Sequence, residues 1–100
     1  IMKQAQQLQE QMTKLNSELE DRTVEASVGG GMVTVTANGR QDIVSIKIAP
    51  ALVDPADVAM LEDLVASAVN EALRQSKDMM QQELGKLTGG LRIPGLNLPL

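Results

Sequence analysis

Apolar residues at Ala5, Leu8, Met12, Leu15 and Leu19 recur at intervals of three and four along the start of the chain. This spacing predicts a helix over residues 1–21 with a narrow, two-position heptad seam. A helix lying on a globular core usually shows a broader apolar stripe. The narrow seam suits an arm packed lengthwise on another helix, and equally a helix on the surface of its own domain. From Thr23 the period changes to two. Val24, Ala26 and Val28 alternate with Thr23, Glu25 and Ser27, which predicts a half-buried strand over 23–28. Gly29-Gly30-Gly31 interrupts the alternation, which resumes over 32–37, and a third strand is predicted over 42–49.

Asn38-Gly39 stands between the last two strands and is a strong hairpin signal. Taken as a two-residue loop, it opposes Val33 to Val44 and Val35 to Asp42. Val33, Val35 and Ala37 then share a face with Val44, Ile46 and Ile48, whereas a one-residue slip would put the two sets on opposite faces. Pro50 ends the sheet, an antiparallel meander with one apolar face to be covered. In Asp54-Pro55-Ala56-Asp57 we read a helix start, with Asp54 as N-cap, Pro55 in the first helical position and Asp57 in the first turn. Val58, Leu61, Val65, Ala68, Val69 and Ala72 form a stripe wide enough to lie across the sheet. Beyond Leu73 the stripe thins to Met79, Met80, Leu84 and Leu87, interrupted by Ser76 and Glu83. The helix, predicted over 55–87, is expected to end as a second projecting arm. The expected fold is α+β in the order α-β-β-β-α, one domain over 1–88, and the Gly-, Pro- and Leu-rich residues 89–100 read as a flexible tail.

Composition narrows the function. The 100 residues include no Phe, Trp, Tyr, Cys or His. The usual zinc and transition-metal sites therefore cannot be assembled, nor can Ser-His-Asp or Cys-His nucleophilic arrangements. No aromatic platform exists on which unpaired bases would stack. A core of Val, Ile, Leu, Met and Ala alone is poorer in buried area than one with aromatics, so self-association as a homo-oligomer is expected. Nine Lys and Arg stand against thirteen Asp and Glu, a net charge of −4 that argues mildly against polyanionic partners. Ile1 is not a translation start, so further N-terminal residues are expected. No apolar run approaches the roughly 20 residues of a membrane span, and with no visible export signal the absence of Cys fits the cytosol.

Candidate sites are few. The triple glycine lies between two strands, not before a helix, so it reads as a hairpin loop and not a phosphate cradle. Glu62-Asp63 are neighbours that point apart on a helix, and Asp54 and Asp57 are accounted for by capping. Lys3, Gln7, Glu10 and Lys14 form one stripe roughly opposite the seam, and Arg74 and Lys77 lie off the apolar stripe of the second helix, near Glu71 and Asp78. The stripe reads either as a solvated face or as a row of phosphate contacts with Gln4, Gln7 and Gln11 adding amide hydrogen bonds. From charge alone the solvated face is favoured, because nucleic-acid binders concentrate positive charge.

Three stretches shift that balance: MKQAQQLQEQM at the start, GGGMVTVTANGRQDIVSIKI in the middle, and APALVDPADVAMLEDLVASAVNEAL after it. In this order, over about residues 2–88, the chain resembles the YbaB/EbfC family of small bacterial nucleoid-associated proteins. The resemblance implies a homodimer whose projecting helices stand like the tips of tweezers and hold double-stranded DNA with little sequence preference, with effects on gene expression and nucleoid organisation. Members often carry more Lys on the first helix, where this chain has only Lys3 and Lys14 before Arg22. The family has no invariant base-reading residue to transfer, so the expected DNA contacts, Lys3, Gln7, Lys14, Arg74 and Lys77, follow from helix position. Ala5, Leu8, Met12, Leu15 and Leu19 are the expected dimer or helix seam. No cofactor, metal, small-molecule substrate or membrane partner is expected, and no catalysis, since no converging carboxylate pair is found. The competing reading is a protein-interaction module whose arms clasp a partner helix.

Overall fold

The computed structural model describes residues 1–89, and the predicted tail lies outside the described residues, apart from Gly89, which ends the second helix. The chain runs α1 (Met2–Asp21), β1 (Thr23–Val28), β2 (Val33–Asn38), β3 (Ile43–Ile48), a short 3-10 turn (Pro50–Leu52) and α2 (Val58–Gly89). The strands form one antiparallel sheet in the order β1-β2-β3. Each predicted element is present: β1 has the expected bounds, and the ends of the others differ by at most three residues.

Period-two alternation turns one face of the sheet apolar. Ala26 pairs with Val35, Val28 with Val33, and Val24 with Ala37. α2 lies across these rows through Ala68 and Ala72, and Val33, Val35, Ala37, Ala68 and Ala72 are fully buried. Each buried valine contributes about 1.5–3 kcal/mol of transfer free energy. The opposite face carries Thr34 paired with Ser27 on one side and Lys47 on the other, and Thr36 paired with Glu25 and Ser45, so it is polar.

The hairpin between β2 and β3 differs from the two-residue loop. Val33 pairs with Ile48 and Val35 with Ile46, four residues along from the expected register, with Val44 left as an extra residue where the ladder shifts between Thr36 and Ala37. The loop is longer because the Asn38 N–H donates to the Asp42 carbonyl at 2.9 Å, and the Asn38 side-chain oxygen accepts from the N–H groups of Arg40 and Asp42 at 2.9 and 3.0 Å. An offset of four residues preserves parity, so Val33 and Val35 still share their face with Ile46 and Ile48. The left-handed residue of the loop is Gln41, with φ 66°, and not Gly39.

Gly39 is required for a different reason. A Cβ there would lie 2.7 Å from Leu19 Cδ2, 2.9 Å from the Leu19 carbonyl oxygen and 2.9 Å from Met79 Cε. The end of α1 and the middle of α2 thus close directly on this backbone.

The start of α2 also differs. Pro55 sits in a turn where Asp54 accepts from the Ala56 N–H at 2.9 Å, and Asp57, not Asp54, caps the helix by accepting from the Met60 N–H at 3.3 Å. Both aspartates satisfy local N–H groups, and the second one gives the helix its first free donors a partner.

Ser76, which interrupts the apolar stripe of α2, is fully buried. Its hydroxyl donates to the Asn38 carbonyl and accepts from the Gln41 N–H at 3.0 Å. A serine is what an apolar stripe needs where it crosses a turn with unpaired backbone groups.

Replacing Gly39 by Ala is therefore expected to destabilise the fold by about 1–3 kcal/mol through overpacking against the Leu19 carbonyl. Thermal unfolding checks this, and an unchanged melting temperature would show that α1 does not close on Gly39.

Candidate nucleic-acid interface

Among the described residues, α1 is fastened only at its C-terminal end. Leu15 and Leu19 are buried, whereas Leu8 and Met12 are 42% and 36% exposed and Ala5 is exposed. The predicted seam is thus divided: its lower part packs within its own chain and its upper part is uncovered. The Gly39 N–H donates to the carbonyls of Leu19 and Arg22 at 2.8 and 2.9 Å, joining the end of α1 to the β2–β3 turn. Arg22 Nη1 meets Glu83 Oε1 at 2.6 Å, and Arg40 lies 3.7 Å from Glu20. Gln11, Lys14, Leu15 and Glu18 border an open groove whose other wall is Glu83, Lys86 and Leu87. α1 therefore lies alongside the last turns of α2, and the two helices make one projecting arm on a molecule 63 Å long and 25 by 16 Å across.

Lys3, Gln7 and Lys14 are exposed on α1, and Arg74 and Lys77 are exposed on α2. Arg74 stands two residues from Ala72 and two from Ser76, hence on the side of the helix turned from the core. Its guanidinium is engaged by two carboxylates, Glu71 and, at 3.3 Å, Asp78. Among the described residues Lys3, Lys14, Lys47 and Lys77 have no ion pair, while Arg22, Arg40, Arg74 and Lys86 each have one or more. Lys86, absent from the sequence-derived set, shares the groove with Lys14 and sits 3.3 Å from Glu83. Its only signal in the sequence was its place on the arm, three residues after Glu83. The Arg22–Glu83 contact had none, since sixty-one positions separate the two residues.

Hydrogen bonds set the titration of these groups. The Arg22 guanidinium, and then the Lys86 ammonium, hold the Glu83 carboxyl below the usual glutamate range. Arg74 and Gln75 do the same for Glu71, and Glu71 in turn raises Arg74. Among the described residues no group of three carboxylates is placed to hold a metal ion, and no helix is long and apolar enough to cross a membrane.

The fold is thus an elongated α+β scaffold with a helical arm of exposed amides and lysines. Residues 1–91 match the YbaB/EbfC DNA-binding family, and the chain belongs to that family. It is 56% identical over 96 residues to a nucleoid-associated protein of Pelotomaculum thermopropionicum, covering 96% of this chain and 91% of that one. A nucleoid-associated protein of Moorella thermoacetica is 60% identical over 95 residues, covering 95% and 91% of the two chains. The crystal structure of an uncharacterized protein from Helicobacter pylori shares the fold, with a TM-score of 0.76 at 20% identity over 83% of this chain and 87% of that one.

A carboxyl whose folded value is lowered adds stability that is complete above its unfolded value and is lost as pH falls through the folded value. The Arg22–Glu83 contact should accordingly persist through the ordinary glutamate range and open only below it. A carboxyl chemical-shift titration should place the Glu83 midpoint below that of an unperturbed glutamate, and Arg22→Ala should move it upward. An unmoved midpoint would show that the contact is not formed in solution.

Proposed function

We propose that the chain acts as a homodimer that binds double-stranded DNA through phosphate contacts made by its helical arms, with little sequence specificity. The observation that carries this reading is where the bases stand, interleaved on α1 with Glu10, Glu18, Glu20 and Asp21. Every basic residue among the described ones except Lys47 lies on α1 or at its C-cap, Arg22, in the β2–β3 turn or on α2 from Arg74 onward. Residues 48–73, by contrast, hold Asp54, Asp57, Glu62, Asp63 and Glu71 and no base. A polyanion is repelled from the sheet end and meets its cations on the arm.

Lys3, Lys14 and Lys77, free of ion pairs, would be the principal phosphate contacts, and Gln7 would add an amide hydrogen bond. Arg74 would contribute less, because Glu71 and Asp78 already balance its charge. The role is non-catalytic and belongs with the nucleoid in the cytoplasm, as the relatives' names suggest, with an influence on nucleoid organisation and gene expression. The domain that performs it spans residues 1–88.

The dimer would form on β3. Ile46 and Ile48 share the core face with Val35 and Val33 but extend past α2 and are 44% and 37% exposed. Val58 and Met60, at the start of α2, are exposed too. A second copy seated there would bury this surface, complete the small core and leave both arms projecting in a tweezer-like pair. A second reading, that the arms clasp a partner protein, draws on the uncovered Ala5, Leu8 and Met12.

Sedimentation at low micromolar concentration should give twice the monomer mass, and replacing Ile46 and Ile48 by Asp should give the monomer. A well-folded wild-type monomer would remove the tweezer arrangement.

Three unpaired lysines on each of two chains make six phosphate contacts, so duplex affinity should fall about 10³-fold between 50 and 200 mM salt. In a mobility-shift titration, Lys3→Glu with Lys14→Glu should weaken all duplex sequences alike and flatten the salt slope without lowering the melting temperature. Lys77→Ala should cost more affinity than Arg74→Ala. Failure of the wild-type dimer to bind duplex DNA at low salt would favour the protein-clasping reading.

A further inference from the structure

Among the described residues α1 has one apolar anchor, Leu15 and Leu19, and one backbone attachment, the Gly39 N–H. Together they hold the end of the helix in place but grip its direction only weakly. Of the polar contacts that brace it, Arg40–Glu20 is long, at 3.7 Å, with both side chains at least half exposed. Such a pair contributes little. Arg22–Glu83 is shorter, at 2.6 Å, and although the Arg22 side chain is 52% exposed, that of Glu83 is only 17% exposed, bordering the groove and shared with Lys86. Nineteen residues separate Arg22 from Lys3, about 28 Å along a helix. A swing of ten degrees at the junction would carry Lys3 by about 5 Å, more than the roughly 3.4 Å rise between successive phosphates of one strand.

We propose that Glu83 is a positioning residue for duplex binding: through Arg22 it fixes the direction of α1, and with it the placement of Lys3 and Lys14 relative to the DNA backbone. The inference rests on the DNA-binding reading above. It makes a claim opposite in sign to simple electrostatics. Glu83 is an anion close to Lys14 and Lys86 on a surface that would face phosphates, so deleting its charge should tighten binding if charge alone mattered. If Glu83 directs the arm, deleting its charge weakens binding.

The test uses the complete dimer in mobility-shift titrations at several salt concentrations. Glu83→Gln is expected to lower duplex affinity several-fold at low salt and to flatten the salt slope, because fewer lysines meet phosphates. Arg22→Glu should do the same. The swap Arg22→Glu with Glu83→Arg keeps net charge, rebuilds the pair in reverse and should restore affinity and slope toward wild type, a rescue that loss of an Arg22–phosphate contact would not allow. In parallel, spin labels on Gln9→Cys and Asn70→Cys, both exposed in a chain with no native cysteine, should give a distance distribution that broadens in Glu83→Gln and narrows again in the swap. Equal or tighter duplex binding by Glu83→Gln overturns the proposal, as does an unbroadened distance distribution. If the wild-type dimer binds no duplex, the DNA-binding reading fails instead, and the label distances alone still decide whether Glu83 directs α1.

Discussion

The turn from Asn38 to Asp42 is the constraint on which the rest of the structure depends. Its backbone is where α1, the sheet and α2 meet. Gly39 gives the last carbonyls of α1 a donor and leaves no room for a side chain, and Ser76 of α2 bonds to the backbone on either side of it. Asn38 closes the loop on itself with its own side-chain oxygen. Each contact gives a buried polar group a partner, and among the described residues no buried side-chain nitrogen or oxygen lacks one. The cost of breaking the turn is therefore felt by three elements at once, since polar groups cut off from water are expensive to strand.

The lack of aromatic residues shapes the body in a second way. Where α2 crosses the sheet it does so on Ala68, Ala72 and Ser76 over Ala26, Val33, Val35 and Ala37, all small. Small residues bring helix and sheet close, and one helix so placed covers β1 and β2 more fully than β3. The apolar row of β3 is left half exposed, and an exposed apolar row beside an unpaired strand edge is a surface that stability and solubility both favour covering. The last turns of α2 lie beyond the sheet, where among the described residues α1 is their neighbour.

Charge on that arm is mixed rather than positive. Arginines are drawn into pairs with carboxylates, and most of the lysines are left unpaired. Arg presents a rigid fork that suits a carboxylate, while Lys keeps a hydrated point charge on a mobile stem. The division gives the arginines a part in holding helices and leaves the lysines to interact with whatever approaches. It also means that the binding surface cannot be read from the number of cations, because half of those described are already neutralised locally.

Periodicity alone determined most of the fold. A change from the helical period of about 3.6 to period two and back is a local property of the chain, and each of the five main elements could be placed from it. Parity of the apolar positions even put Val33, Val35, Ile46 and Ile48 on one face while the register itself was four residues off, because side-chain alternation is insensitive to an even shift. The turn that sets the register was not legible, since the preference of Asn-Gly for a tight hairpin was overridden by the Asn38 side chain and by α1 closing on Gly39. Nor was the division of the seam, because Leu8 and Leu15 are equivalent in any pattern, and where α1 meets the β2–β3 turn and α2 decides which is buried. The exposure of Lys3, Gln7, Lys14, Arg74 and Lys77 followed from helix geometry. The engagement of Arg74, the place of Lys86 and the pairing of Arg22 with Glu83 belong to the tertiary structure, because electrostatic partners are chosen by distance in space and a linear sequence holds no record of it.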